Sequence, residues 1–143
     1  MKVLRVALAD DEPLARARLA RLLREAGCEV VAELADGPSV LRWLEEGGKV
    51  DGLFLDIQMP GISGLEVLAE LQDGHVCPPV IFVTAFAEHA VRAFEACATD
   101  YLLKPVSAER LNKALARLQQ GAVPPRNAGE LKALLPQAQR FPV

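Results

Sequence analysis

Apolar residues along this chain fall into two alternating patterns. Continuous runs with strand character occupy about 3–9 (VLRVALA), 29–34, 51–55 (DGLFL), 80–83 within PVIFV, and 100–103 (DYLL). Between them, apolar positions recur at helical spacing. The first helix is predicted from Pro13, whose ring suits a first-turn position, to a stop at Gly27. Ala15, Leu19, Leu22, Leu23 and Ala26 form its inner stripe, with Arg16, Arg18, Arg21 and Arg24 mostly outward. Further helices are predicted near 39–46 with Val40, Leu41 and Leu44 inward, near 65–72 with Leu65, Leu68 and Leu71, and near 88–97 with Ala90, Phe94 and Cys97 or Ala98. The last begins after the N-cap candidate Ser107 and carries Leu111, Leu115 and Leu118.

Five strand–helix units of this length predict an α/β protein, a parallel sheet with helices on both faces. The middle runs are apolar throughout, as expected when both faces are covered. The expected fold is flavodoxin-like, a doubly wound five-stranded parallel sheet of order 2-1-3-4-5. That order sets strands one and three side by side, so Asp10 and Asp11 adjoin Asp56. From Gly121 the character changes, and residues 121–143 hold four of the ten prolines. The core domain is therefore expected over 1–120, with 121–143 a linker or C-terminal extension.

The polar residues that end the apolar runs carry the chemistry. Asp10–Asp11, Asp56, Thr84 and Lys104 each stand where a different run stops. If the runs are neighbouring parallel strands, all of them meet at one sheet edge, where open parallel sheets bind ligands. Two carboxylates about 4 Å apart repel by roughly 4 kcal/mol at an effective dielectric near 20. A shared proton relieves that repulsion, and so does a hard divalent cation such as Mg²⁺, which takes carboxylate and carbonyl oxygens. Neither His75 nor His89 falls near this edge, which favours an oxygen site over zinc. A carboxylate beside such a cation can act as nucleophile and form an acyl phosphate. Asp56 is the best candidate, because it ends the central run alone and precedes a loop with Pro60, Gly61 and Gly64. The Thr84 hydroxyl and the Lys104 charge suit the oxygens of a phosphoryl group. Taken singly, each residue has a plainer role: negative charge at a helix N-terminus for Asp10–Asp11–Glu12, a loop cap for Asp56, a solvated cation for Lys104. Their joint placement outweighs those readings.

Composition removes several classes. The chain has 143 residues and a net charge of −3, with no basic footprint for nucleic acid. No apolar stretch is long enough to span a bilayer, and the start does not read as a signal peptide; a cytoplasmic protein is expected. Cys28, Cys77 and Cys97 show no metal-ligand spacing, and core packing is expected for each.

VALADDEP, GLFLDIQMPGISG, IFVTAF and DYLLKP, in this order, closely resemble the receiver domain of two-component response regulators. The resemblance implies that Asp56 accepts a phosphoryl group from a sensor histidine kinase. It implies Mg²⁺ held by Asp11 and Asp56, by Asp10 mainly through water, and by the Gln58 backbone carbonyl. Thr84 and Lys104 contact the phosphoryl group, Tyr101 is the switch aromatic, and the Lys104–Pro105 bond is cis. Such a domain catalyses only its own phosphorylation and dephosphorylation. DDEPLARARL and TAFAEHAVRAFEACATDYLLKPV look like receivers of the LytR/AlgR class of transcription regulators, and the terminal RFPV looks like the opening strand of a LytTR output domain. DNA would then be touched only by an output domain beyond this chain. Once the domain is phosphorylated, a homodimer is expected through the face of the 88–97 helix and the fifth strand, with Arg92, Glu95 and Asp100 as exposed candidates.

Other readings fit less well. Phosphohydrolases that form an aspartyl phosphate carry an acid two positions after the nucleophile, where this chain has Gln58. A flavin or nucleotide protein needs a Gly-rich or Ser/Thr-rich loop after the first strand, where this chain has ADDEP. A stand-alone or pseudo-receiver acting as a docking module remains an alternative. Gln58 and Phe86 flank the pocket and are placed to shape water access.

Overall fold

The computed structural model describes residues 3–74, 77–86 and 98–120. The predicted helix over 88–97, with Arg92 and Glu95, lies outside them, as do His75, His89, Cys97 and the extension over 121–143.

Five strands, β1 (Arg5–Ala9), β2 (Glu29–Leu34), β3 (Gly52–Asp56), β4 (Val80–Thr84) and β5 (Asp100–Leu103), form one sheet of order β2-β1-β3-β4-β5. Every pairing is parallel. Four helices are described: α1 (Pro13–Glu25), α2 (Gly37–Glu45), α3 (Gly64–Asp73) and α4 (Ala108–Gln119). This is the flavodoxin-like doubly wound arrangement.

Alternation along each strand divides the core in two, since successive side chains point to opposite faces. Ala7, Leu53, Leu55 and Phe82 pack with Val40 and Leu44 of α2 and Val67, Leu68 and Leu71 of α3. Val6, Leu8, Phe54, Ile81 and Leu102 pack on the other face with Leu19 and Leu23 of α1 and Leu111 and Leu115 of α4. Both faces of β3 and β4 are buried, which explains their unbroken apolar runs. Among the described residues, no helix is long and apolar enough to cross a membrane.

Helix boundaries follow local chemistry. Pro13 opens α1 as expected, and Gly27, at φ +91°, takes the left-handed conformation after it. Ser63 Oγ accepts from the Glu66 N–H at 3.2 Å, and Ser107 Oγ from the Arg110 N–H at 3.1 Å. Helix α2 begins two residues before its expected start, because the Asp36 carboxylate accepts from the Ser39 N–H at 2.8 Å. That bond holds the Asp36 carboxyl below its ordinary range.

Four expectations need correction. Asp100, expected exposed, is 2% exposed, because α4 delivers two arginines to it. Ala26 lies just past the end of α1 and is exposed. Arg16 is half-buried instead of facing outward. Cys28 is only partly buried and Cys77 is exposed, so neither packs as a core residue.

Candidate functional site

The sheet register assembles the site. Ala9 pairs with Leu55, so the next residues, Asp10 and Asp56, leave adjacent strands at one level. Thr84 pairs with Leu103, and the Lys104 N–H continues that ladder to the Thr84 carbonyl at 2.8 Å. Residues from β1, β3, β4 and β5 thus arrive at one edge with no contribution from helix interiors. Asp10, Asp56 and Thr84 are buried, whereas Asp11 is exposed at the rim.

Lysine 104 joins the carboxylates. Its Nζ donates to Asp10 Oδ2 at 2.7 Å and to Asp56 Oδ2 at 3.1 Å. Asp56 Oδ1 accepts from the Gln58 N–H at 3.1 Å. One carboxylate oxygen from each of Asp10, Asp11 and Asp56 lies within 4.8 Å of the other two. Against one ammonium, three carboxylates leave two negative charges uncompensated in this group. That excess and the all-oxygen donor set fit a hard divalent cation.

The electrostatics agree with that excess. Burial pushes the Asp56 carboxyl above its ordinary pKa; the Lys104 charge opposes this, and Asp10 adds to it. Burial also pulls Lys104 down, but its bonds and charges with Asp10 and Asp56 outweigh that and raise it. The lysine therefore stays charged, while Asp56 ionises against resistance.

The crevice has a volume of about 670 Å³, and its walls include Asp11, Asp56, Gln58, Thr84, Phe86 and Lys104. The loop that supplies Gln58, Met59, Pro60 and Ser63 to its lining depends on a close backbone approach. A β-carbon on Gly64 would collide with the Asp56 carbonyl, and the Gly64 N–H donates to the Ile57 carbonyl at 2.9 Å. The loop between β3 and α3 folds back onto its own start only because this position is glycine. Lys104–Pro105 is cis.

On the far wall, Thr84 and Tyr101 meet at one residue. The Phe86 N–H donates to Thr84 Oγ at 3.3 Å, and the Tyr101 hydroxyl donates to the Phe86 carbonyl at 2.7 Å. Tyr101 is buried. All of the expected pocket residues, Asp10, Asp11, Asp56, Gln58, Thr84 and Lys104, are thus brought together. Arg16 was missed as a neighbour: its Nη1 donates to the Asp10 carbonyl at 2.7 Å. An arginine early in a helix, where the dipole disfavours positive charge, was the available signal.

A doubly wound sheet with an acidic crevice at its edge is the architecture of a receiver domain, and the chain belongs to the response regulator receiver domain family, whose model matches residues 6–116. A relative, the transcriptional regulatory protein BtsR of Salmonella typhi, is 46% identical over 119 residues, covering 82% of this chain and 49% of that protein. An uncharacterized response regulatory protein of Vibrio cholerae is 49% identical over 112 residues, 78% of this chain and 46% of that protein. The chain spans about half the length of the curated relatives it matches. Among solved structures, the response regulatory domain of protein mrkE from Klebsiella pneumoniae aligns with a TM-score of 0.74 at 36% identity, covering 82% of this chain and 96% of that one. Response regulator protein TrrA from Thermotoga maritima, in complex with Mg(2+)-BeF, aligns with a TM-score of 0.72 at 33% identity, covering 82% and 99%.

Proposed function

We propose that this receiver is switched by phosphorylation of Asp56 in a Mg²⁺-dependent reaction with a sensor histidine kinase. The observation that carries the reading is the convergence of three carboxylates within 4.8 Å, with Lys104 bonded to two of them. Asp11, Asp56 and the Gln58 carbonyl would hold Mg²⁺, and Asp10 would bind it mainly through water. When bound, the cation neutralises the carboxylates and the phosphoryl oxygens.

Asp56 is the nucleophile. One of its carboxylate oxygens attacks phosphorus, the phosphorus–nitrogen bond to the kinase histidine breaks, and the departing imidazole takes up a proton. Lys104 moves from the carboxylates to a phosphoryl oxygen, and the Thr84 hydroxyl donates to another. Because the backbone N–H and C=O of Phe86, on either side of its Cα, bond to Thr84 and Tyr101 respectively, displacement of Thr84 carries through that residue to the tyrosine. The ring then exchanges between its buried place and an outward one, biasing two arrangements a few kcal/mol apart. The altered face, formed by β5 and the predicted helix over 88–97, takes a second copy of the chain.

The motifs DDEPLARARL and ATDYLLKPV, with a transcriptional regulatory protein among the relatives, support the LytR/AlgR class. Residues 121–143 are then a linker toward a LytTR output domain, which alone would contact DNA, in the cytoplasm. The domain turns over no substrate beyond its own phosphorylation and dephosphorylation.

Incubation with acetyl phosphate and Mg²⁺ tests the reading. One phosphoryl adduct by intact mass is expected, lost in Asp56→Asn and in chelator. An adduct unchanged in Asp56→Asn refutes the assignment, and no adduct in the wild type leaves a docking module.

A further inference from the structure

Every polar backbone and side-chain atom of Asp10 is engaged. Its N–H donates to the Leu34 carbonyl at 3.1 Å, Oδ1 accepts from the Glu12 N–H at 2.9 Å, and Oδ2 accepts from Lys104 at 2.7 Å. Those three bonds belong to the ladder, the loop turn and the crevice. The fourth is different in kind: the Asp10 carbonyl accepts from Arg16 Nη1 at 2.7 Å. Arg16 stands near the N-terminus of α1, where the macrodipole disfavours a cation. It is half-buried, while Arg18, Arg21 and Arg24 on the same helix are exposed.

The Asp10 carbonyl and the Asp11 N–H share one planar peptide unit. Fixing the carbonyl fixes that plane, and with it the direction in which Asp11 leaves the strand end. Asp11 is the exposed member of the carboxylate group and is otherwise placed by a loop. We infer that Arg16 is a positioning residue for the cation site: through the Asp10 carbonyl it sets the Asp10–Asp11 peptide so that the Asp11 carboxylate stays beside Asp56. This rests on the metal reading above. Arg16 itself is not among the oxygen donors that would hold the cation; its bond is to the Asp10 carbonyl.

The sign of the effect separates orientation from charge. Arg16 is a cation beside a cation site, so deleting its charge tightens Mg²⁺ binding on Coulombic grounds alone. Losing the orientation weakens it. Removing a partner that orients a metal ligand typically costs about 10–100-fold in affinity. A single hydrogen bond to a backbone carbonyl places this case near the lower end, about tenfold.

The test is calorimetric titration of the full 143-residue chain with Mg²⁺ after EDTA treatment, checked with Mn²⁺ by electron paramagnetic resonance. Arg16→Met keeps the aliphatic stem and is expected to raise the Mg²⁺ Kd about tenfold while far-UV circular dichroism is unchanged. Arg16→Lys, a donor of the same charge, recovers most of the affinity. Arg18→Met, a charge removed from the same helix, leaves it unchanged or slightly tighter. If Arg16→Met does not fold, Arg16→Gln, too short to reach the carbonyl, takes its place with the same expected loss. Wild-type or tighter affinity in a folded Arg16 variant lacking the donor overturns the inference, as does an equal loss in Arg18→Met. No Mg²⁺ binding by the wild type overturns the metal reading itself, and the inference with it.

Discussion

Arg110 closes on Asp100 at 2.6 Å and also donates to the Tyr101 carbonyl at 2.8 Å, so one side chain of α4 grips two consecutive residues of β5. The Arg117 Nε adds a second cation 3.7 Å from the same carboxylate. The carboxylate is fully buried, and the Tyr101 N–H also donates to it at 2.7 Å. Removing one partner of such a pair strands a buried charge, at a cost of about 3–5 kcal/mol. Asp100→Ala is therefore expected to lower the urea midpoint sharply without changing the slope. Because the partners share one network, Asp100→Ala with Arg110→Met should destabilise less than the sum of the single changes. Additive costs would disprove the coupling.

Asp56 makes the cation-free fold less stable than it could be. Its pKa is raised by burial in the folded chain, and in the unfolded chain it is near about 3.9. The fold thus prefers the neutral acid: ionisation costs stability at neutral pH, and this cost disappears as the pH falls below the unfolded value. Asp56→Asn is expected to raise Tm by a few degrees in EDTA at pH 7.5. The gap should close as the pH approaches 4. A gap that widens on acidification would contradict the sign.

Divalent cations should stabilise the wild type strongly. Mg²⁺ at a hundred times its Kd contributes about 2.7 kcal/mol. Thermal unfolding with and without EDTA should show the rise, and Asp11→Asn should remove most of it. Ca²⁺, a larger ion, should stabilise less if the site prefers octahedral geometry.

Gly64 allows one sharp steric test. A methyl group there meets the Asp56 carbonyl, which is backbone and cannot rotate away. Gly64→Ala should cost about 1–3 kcal/mol, and should weaken Mg²⁺ binding as the strand end shifts. Gly61, at φ +82° with open space around it, offers a contrast. Alanine there brings backbone strain alone, so stability should fall while the affinity change stays smaller.

Much of this was legible in the residues. Asp10, Asp56, Thr84 and Lys104 each end an apolar run, and parallel strands must bring such ends to one edge. The Ser107 cap and the Gly27 stop were readable because their chemistry is local. Asp100 was not. A polar residue opening a short strand looks solvent-facing, and its partners Arg110 and Arg117 sit on a helix whose other charges, such as Lys113, are exposed. Only the packing of α4 on β5 reveals the pairing. The early start of α2 was hidden because Gly37–Pro38 reads as a breaker, whereas Pro38 sits in the first turn, behind the Asp36 cap. The Arg16 bond was hidden for a similar reason: the helical period places that residue among outward arginines, and only its reach back to a strand end turns it inward.

The ammonium of residue 104 meets a carboxylate 94 positions earlier in the chain and another 48 positions earlier. A fragment lacking the strand end that carries residue 10, 56 or 104 cannot assemble the crevice, so the proposed cation site is expected to form only with near-complete topology. In a stopped-flow refolding experiment, Mn²⁺ uptake should lag the recovery of helical signal, making the bound ion a reporter of the last long-range closure.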